Sequence, residues 1–192
     1  MPRFVASGTA AAELRAFAED VEYYLSLSPR QLPSKYLYDD LGSALFEAIC
    51  RLPWYGITRT ELRLLSRHAR RIFERVSPVS RVVELGPGDG EKLATLLHAA
   101  DPQHDLTVHL IDVSASALIT ATRAIDTHPR VSVIAHESEY ESGLASALSG
   151  PEHRAHADFT AVKGGRRCDR ALILCLGSNI GNFDPSDVVM FL

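Results

Sequence analysis

Short aliphatic runs alternate with helical patterns from residue 81 onward, and this alternation constrains the fold more than any other feature of the chain. The runs predict four strands, at residues 82–85, 106–111, 131–135 and 171–176. Apolar stripes at helical spacing separate the first three strands, and they comprise Leu93, Leu96, Leu97 and then Leu118, Ala121, Ile125. Parallel neighbouring strands need crossovers of this kind. The pattern therefore predicts an α/β domain built on a parallel sheet.

Three helices are predicted between a short N-terminal tail and this alternation, over residues 9–77. In the first, apolar residues recur at helical spacing until the chain approaches Pro29. The second begins near Gly42 or Ser43 and must end by Pro53, because proline cannot continue the hydrogen-bond ladder of a helix.

The third helix has the clearest predicted start. Thr58 and Glu61 match a capping box, in which each side chain accepts a hydrogen bond from the backbone N–H of the other residue. The apolar stripe of this helix runs to Pro78. We therefore expect an N-terminal helical subdomain over residues 1–78, acting as a lid, and the α/β domain over residues 79–192.

Composition excludes several classes of partner. With 192 residues and 46% apolar side chains, the chain can bury a sizeable core. A net charge of −4 creates no field that would gather nucleic acid or an anionic membrane, and the basic cluster at residues 163–167 reads as a solvated loop rather than a binding patch. No apolar run approaches the roughly 20 residues that span a bilayer, and the N-terminus has no signal-peptide core. We expect a cytoplasmic protein.

The cysteines and histidines predict no metal or redox site. Cys50, Cys168 and Cys175 lie far apart without a CxxC pair, so they read as buried reduced thiols. His153 and His156 are close together, but their polar stretch contains no third ligand.

A strand that runs into a glycine-rich turn and then a helix is the first candidate for binding chemistry. Its sequence is Glu84-Leu-Gly-Pro-Gly-Asp-Gly-Glu-Lys92. Glycines allow the backbone to approach a ligand closely, and the helix N-terminus offers unpaired N–H groups. The alternative is a tight turn that serves packing alone.

An aspartate at the end of the next strand makes a nucleoside the favoured ligand. Asp112 can accept hydrogen bonds from both hydroxyls of a ribose. A dinucleotide fingerprint requires a third glycine where this chain has Glu91, which would repel a pyrophosphate. S-adenosylmethionine carries a zwitterionic amino acid and no phosphate, and Lys92 could face its carboxylate. These residues favour S-adenosylmethionine over NAD.

A second small, polar loop, Leu176-Gly-Ser-Asn-Ile-Gly-Asn182, follows the fourth predicted strand. Ligands of open α/β sheets bind at the carboxyl ends of the strands, where this loop lies. Turn formation is the alternative role for Asn179 and Asn182. Asp184 and Pro185 match the cap and first position of a further helix.

The sequence resembles the histidine-specific methyltransferases in four strings that occur in the family's order. These strings are Leu32-Pro-Ser-Lys-Tyr-Leu-Tyr-Asp-Asp-Leu-Gly-Ser-Ala-Leu-Phe-Glu47, Leu52-Pro-Trp-Tyr-Gly-Ile-Thr-Arg-Thr-Glu61, the glycine-rich turn and the second loop. The resemblance covers about residues 27–192. It implies a Rossmann-like sheet, incomplete at the C-terminus, and methyl transfer from S-adenosylmethionine to the α-amino nitrogen of L-histidine, the first step toward ergothioneine.

Carried over position by position, the resemblance also implies binding residues. The implied cofactor contacts include residues of the glycine-rich turn, and they are Glu84, Gly86, Gly88, Lys92, Asp112, Glu139 and Tyr140. Glu139 and Tyr140 match the pair that flanks the adenine, and a solvated acidic loop is their alternative reading. Tyr55 matches a substrate-contacting tyrosine, with an aromatic anchor as its alternative role. Asn182 matches the asparagine that holds the substrate carboxylate. No general base is assignable.

Two departures from the family pattern bear on function. Trp54 and Gly56 stand where the histidine enzymes usually have a glutamate and a second tyrosine, which leaves room for a change of substrate beside Tyr55. The family also continues well beyond the fourth strand. We expect either a fragment of a longer gene product or a truncated protein, and the alternative function is then a non-catalytic module that binds S-adenosylmethionine or a partner chain.

Overall fold

The computed structural model describes residues 3–6, 10–125, 128–149, 170–183, 188, 189 and 191. Several sequence predictions lie outside these residues. They concern Cys168, the pair His153 and His156, the basic cluster at residues 163–167, and the helix start at Asp184 and Pro185. The two described cysteines, Cys50 and Cys175, are free thiols as expected, but both are half-buried rather than buried.

Five described strands form one parallel sheet in the order β1-β4-β3-β2-β5. The strands are β1 Arg3–Ala6, β2 Arg81–Leu85, β3 Leu106–Asp112, β4 Val131–Glu137 and β5 Ala171–Leu174. The four predicted strands are confirmed. β1 was not predicted, because four residues are too few to show a pattern and its extended form comes from pairing along β4.

Six α-helices and two short 3₁₀ turns have bounds in the described part of the chain, and residues 188, 189 and 191 are helical as well. The helices are α1 Ala10–Ser26, α2 Asp40–Cys50, α3 Gly56–Val76, α4 Glu91–Ala100, α5 Ala115–Ile125 and α6 Tyr140–Ser149, and the 3₁₀ turns are Ser34–Leu37 and Asn179–Asn182. The predicted ends before Pro29, Pro53 and Pro78 are confirmed. α6 was not predicted, because its segment carries few large apolar residues.

Two predicted helix starts are wrong. α2 begins before Gly42, because the Asp39 carboxylate caps it and accepts the Gly42 N–H at 2.7 Å. α3 begins at Gly56 with Tyr55 as its N-cap, and no side chain caps it. The capping box of Thr58 and Glu61 is therefore absent.

The core lies on both faces of the sheet. One face packs against α3, α4 and α5 through buried residues such as Val82, Leu93 and Leu118. The other packs Val83 and Ile111 against α6. All five residues of β2 are buried, as expected for a central strand covered on both faces. The division of the chain at residue 78 stays a prediction, and β1, from the N-terminal part, pairs with β4.

The strand register brings the carboxyl ends of β2, β3 and β4 to one edge of the sheet. Leu85 pairs with Ile111, and Asp112 pairs with Glu137. The turns that leave these strands are consequently neighbours. In the part of the chain described, no helix is both long and apolar enough to cross a bilayer.

Candidate active site

A cavity of about 610 Å³ lies at this carboxyl edge of the sheet. The loops after β2, β3, β4 and β5 form one wall, and α1, α2 and the turn between them form the other. Seven predicted site residues line it, namely Gly86, Gly88, Lys92, Asp112, Glu139, Tyr140 and Asn182. Glu84 and Tyr55 are not among the lining residues.

Gly86 and Gly88, two of the three glycines of the turn, have different surroundings. Gly86 has a φ of +67°, and a Cβ there would overlap the Asn179 Nδ2 and lie 2.5 Å from the Tyr140 hydroxyl. Packing therefore requires glycine at this position. Gly88 has a φ of +56°, but a Cβ there would meet nothing within 4 Å. The turn at Gly88 consequently leaves open space beside the backbone where a ligand could approach.

Asn179 holds the glycine-rich turn in place. Its side-chain amide donates to the carbonyl oxygens of Leu85 at 2.9 Å and Gly86 at 2.8 Å. Both amide hydrogens are thus used on the turn. Turn formation in its own loop was the alternative role predicted for Asn179. Its contact with the glycine-rich turn across the sheet edge could not be predicted, because no pattern near Asn179 in the sequence indicates it.

Asp112 ends β3 with its carboxyl group facing the cavity. One oxygen accepts the Ser114 N–H at 2.9 Å. Burial raises the pKa of Asp112 to about 6, and the backbone N–H groups of Ser114 and Val113 oppose that rise. A poorly hydrated carboxylate gains from hydrogen-bond donors, and a pair of hydroxyls on a ligand would supply them.

Aromatic rings cover the next part of the wall. Tyr140 lies 5.9 Å from Phe183 between ring centroids, and Phe183 stacks on Phe191 at 5.2 Å. Burial, reinforced by the charge of Asp112, raises the pKa of Tyr140 above its usual range, so its hydroxyl remains protonated. A flat heterocycle could stack in such surroundings.

Lys92, in the first turn of α4, belongs to a cluster of charged residues. Its ammonium lies 2.8 Å from the Glu61 carboxylate, and the other oxygen of Glu61 accepts the Gly177 N–H at 2.8 Å. Glu84 is 1% exposed on the neighbouring strand. Burial raises the pKa of Glu84 to about 8, and the Lys92 charge opposes that rise.

Ion pairs tie the helical wall to the sheet edge. The Lys35 ammonium lies 2.6 Å from the Glu139 carboxylate and 3.0 Å from that of Asp20. Asp20 also accepts the Tyr36 hydroxyl at 2.6 Å. The Glu139 side chain is largely exposed, as the alternative of a solvated loop predicts, but its carboxylate also forms an ion pair with the opposite wall of the cavity.

Asn182 reaches the helical wall through a tyrosine. Its amide donates to the Tyr38 hydroxyl at 3.3 Å, and the Tyr38 ring packs edge-on against Phe46. Tyr38 lines the cavity and was not singled out in the sequence, although it stands in the first family-like string. Tyr55 is half-buried at the start of α3 and lies outside the lining.

The charge of the cavity favours a cationic or zwitterionic ligand. Seven of its lining residues are acidic and three are basic. Such an excess of carboxylates repels a pyrophosphate and attracts a sulfonium or an ammonium. The open space at Gly88, the carboxylate of Asp112 and this charge all fit S-adenosylmethionine. Among the residues described, no group of three side chains could hold a metal ion.

A parallel sheet with a glycine-rich turn after one strand and a carboxylate at the end of the next defines a class of nucleoside-binding α/β proteins. A family model described as "Histidine-specific methyltransferase, SAM-dependent" matches residues 17–192. The chain therefore belongs to this methyltransferase family, which confirms the resemblance and the Rossmann-like fold class expected from the sequence.

Alignments with three individual relatives cover most of this chain. It is 34% identical to the histidine N-alpha-methyltransferase of Mycolicibacterium smegmatis over 100% of this chain and 54% of that protein. It is 34% identical to the protein of the same name from Mycobacterium tuberculosis, over 92% of this chain and 50% of that one. The ergothioneine biosynthesis protein 1 of Neurospora crassa is 31% identical over 85% of this chain and 17% of its own length. The chain spans about half the length of the two bacterial relatives.

Proposed function

We propose that this chain is the cofactor-binding half of an S-adenosylmethionine-dependent N-methyltransferase that acts on the α-amino nitrogen of an amino acid, with L-histidine as the substrate. The observation that carries the proposal is the cavity at the sheet edge, which the open turn at Gly88 and the partly buried carboxylate of Asp112 both line. The names of the bacterial relatives support histidine as the substrate.

The cofactor would lie along the carboxyl ends of the strands. Asp112 would accept hydrogen bonds from the ribose hydroxyls, and Tyr140 with Glu139 would flank the adenine. Lys92 would face the carboxylate of the methionine portion. Glu84 would act from beneath the turn as a buried carboxyl near Lys92 rather than by direct contact, because it does not line the cavity.

The amino acid would bind between the loop after β5 and the helical wall. Asn182 would hold its carboxylate, and Tyr38 would orient the Asn182 amide through their hydrogen bond. Tyr55 remains a proposed substrate contact on the family resemblance alone, because it does not line the cavity here.

Positioning would be the main contribution of the protein to catalysis. When bound, S-adenosylmethionine supplies an electrophilic methyl group, so no side chain needs to form a covalent bond. Asn182 and the cofactor-binding residues would place the unprotonated amine in line with that methyl group. Orientation of two reactants can supply roughly 7–11 kcal/mol of a barrier.

The test is a methylation assay on the purified chain with S-adenosylmethionine and a panel of amino acids, read by mass spectrometry. Methyl gain on L-histidine, and its loss in the Asp112→Ala variant, are expected. Methylation of a different amino acid would overturn histidine as the substrate. Heat of cofactor binding without methyl gain on any amino acid would instead favour a non-catalytic module.

A further inference from the structure

We infer that Glu61 is a positioning residue that orients Lys92 toward the amino-acid end of the cofactor and, through Gly177, ties the substrate loop to the same point. The inference rests on the proposed function. Glu61 does not line the cavity, so it would act only through its two neighbours, which do.

One side chain joins three separate elements at this point. Glu61 lies on α3, Lys92 on α4, and Gly177 in the loop that follows β5. The two carboxylate oxygens of Glu61 have different partners, since one accepts the Gly177 N–H and the other faces the Lys92 ammonium, each at 2.8 Å. A single carboxylate therefore sets the relative position of an ammonium and a loop.

The contact is too close to be an incidental surface pair. The side chains of Lys92 and Glu61 are only 18% and 24% exposed. A Cβ on Gly177 would lie 2.5 Å from the Lys92 Nζ, so the ammonium passes directly over the backbone of that glycine. Exchange of glycine at residue 177 would displace the ammonium.

Glu61 also sets the local balance of charge. Lys92 stands near both Glu61 and the buried Glu84. The Glu61 carboxylate holds the ammonium at 2.8 Å, and the remaining N–H groups of Lys92 are available to a ligand carboxylate. Without Glu61, Lys92 would lose the carboxylate that lies 2.8 Å from its ammonium.

The same carboxylate reaches the substrate loop. Gly177 precedes the short 3₁₀ turn Asn179–Asn182, which carries both the residue that holds the glycine-rich turn and the proposed ligand of the substrate carboxylate. Glu61 therefore stands where the cofactor and substrate halves of the cavity meet.

Two ligands separate this role from a merely structural one. S-adenosylhomocysteine carries the amino-acid end of the cofactor, and 5′-methylthioadenosine lacks it. Glu61→Gln keeps an oxygen that can accept the Gly177 N–H, but it loses the charge that holds Lys92. We expect calorimetry to show about tenfold weaker binding of S-adenosylhomocysteine, the loss of one charge-assisted contact. Binding of 5′-methylthioadenosine should remain within about twofold.

A double-mutant cycle tests the route through Lys92. Lys92→Met removes the ammonium, and Glu61→Gln should then have no further effect on S-adenosylhomocysteine binding. Glu74→Gln is the matched control, because Glu74 is an exposed glutamate on the same helix. It should bind both ligands as the wild type does.

The outcomes distinguish the inference from the proposed function. If the wild type binds neither ligand, the proposed function fails and the inference fails with it. If the wild type binds both, an unchanged Glu61→Gln variant or an equal loss for both ligands overturns the inference alone. Additive effects in the double mutant overturn the route through Lys92.

Discussion

Replacing Asp112 by asparagine should stabilise the protein while it impairs cofactor binding. Burial raises the pKa of Asp112 from 3.8 to about 6. A pKa difference of roughly 2 between the folded and unfolded states corresponds to about 3 kcal/mol of stability, because each unit of pKa is worth about 1.4 kcal/mol. The pKa of Asp112 is higher in the folded state than in the unfolded state. Below about pH 4 the carboxyl group is protonated in both states, so it does not lower the free energy of unfolding. Its cost grows between about pH 4 and pH 6 and is complete above pH 6.

The Asp112→Asn variant would keep the hydrogen bond from Ser114, since the Oδ1 of the new amide can still accept the Ser114 N–H. The main change is then the loss of a poorly hydrated charge. Urea unfolding at pH 7 should show a free energy of unfolding that is higher by up to about 3 kcal/mol in the variant than in the wild type. At pH 4 the difference should nearly vanish.

A variant that is less stable than the wild type at pH 7, or a difference that does not change with pH, would refute this reasoning. Binding of S-adenosylhomocysteine provides the second measurement. The amide offers one acceptor oxygen in place of two, so its affinity for a ribose diol should fall. Stability and binding should therefore change in opposite directions, which a general folding defect cannot produce.

Other predictions concern the turn and the ion pairs. Gly88→Ala should lower the stability measured by urea unfolding by about 1–2 kcal/mol, because alanine is strained in the left-handed conformation. Gly86→Ala should lower it more, because its Cβ would also overlap Asn179. An equal loss for the two variants would contradict the packing at Gly86. Glu139→Gln should lower stability by about 0.2–1 kcal/mol because its pair with Lys35 is partly exposed. That loss should shrink in high salt, and a salt-independent loss would contradict a screened ion pair.

The sheet could be predicted because its strands carry the signal themselves. The aliphatic runs of β2 and β3 are buried on both faces and are followed by helices with clear apolar stripes. β1 carries no such signal, since Arg3 to Ala6 become a strand only by pairing with residues 134–137. The start of α3 was mispredicted because the Glu61 carboxylate pairs with Lys92 and Gly177 rather than with its own helix.

The site divides in the same way. Gly86, Gly88 and Asp112 stand at strand ends, where neighbouring residues identify them. The contacts that organise the cavity join residues distant in the sequence: Asn179 holds a carbonyl 93 positions away, and Glu61 binds an N–H 116 positions away. Spacing within one segment cannot reveal such contacts, and only the folded sheet edge brings these residues together.

Calorimetric titration of the purified wild-type protein and its Asp112→Ala variant with S-adenosylmethionine tests the central claim most directly. We predict a measurable heat of association for the wild type and at least about tenfold weaker binding for the variant, the equivalent of about 1.4 kcal/mol in lost hydrogen bonds to the ribose. No heat with the wild type, or equal affinities for the two proteins, would contradict a cofactor site at the end of β3.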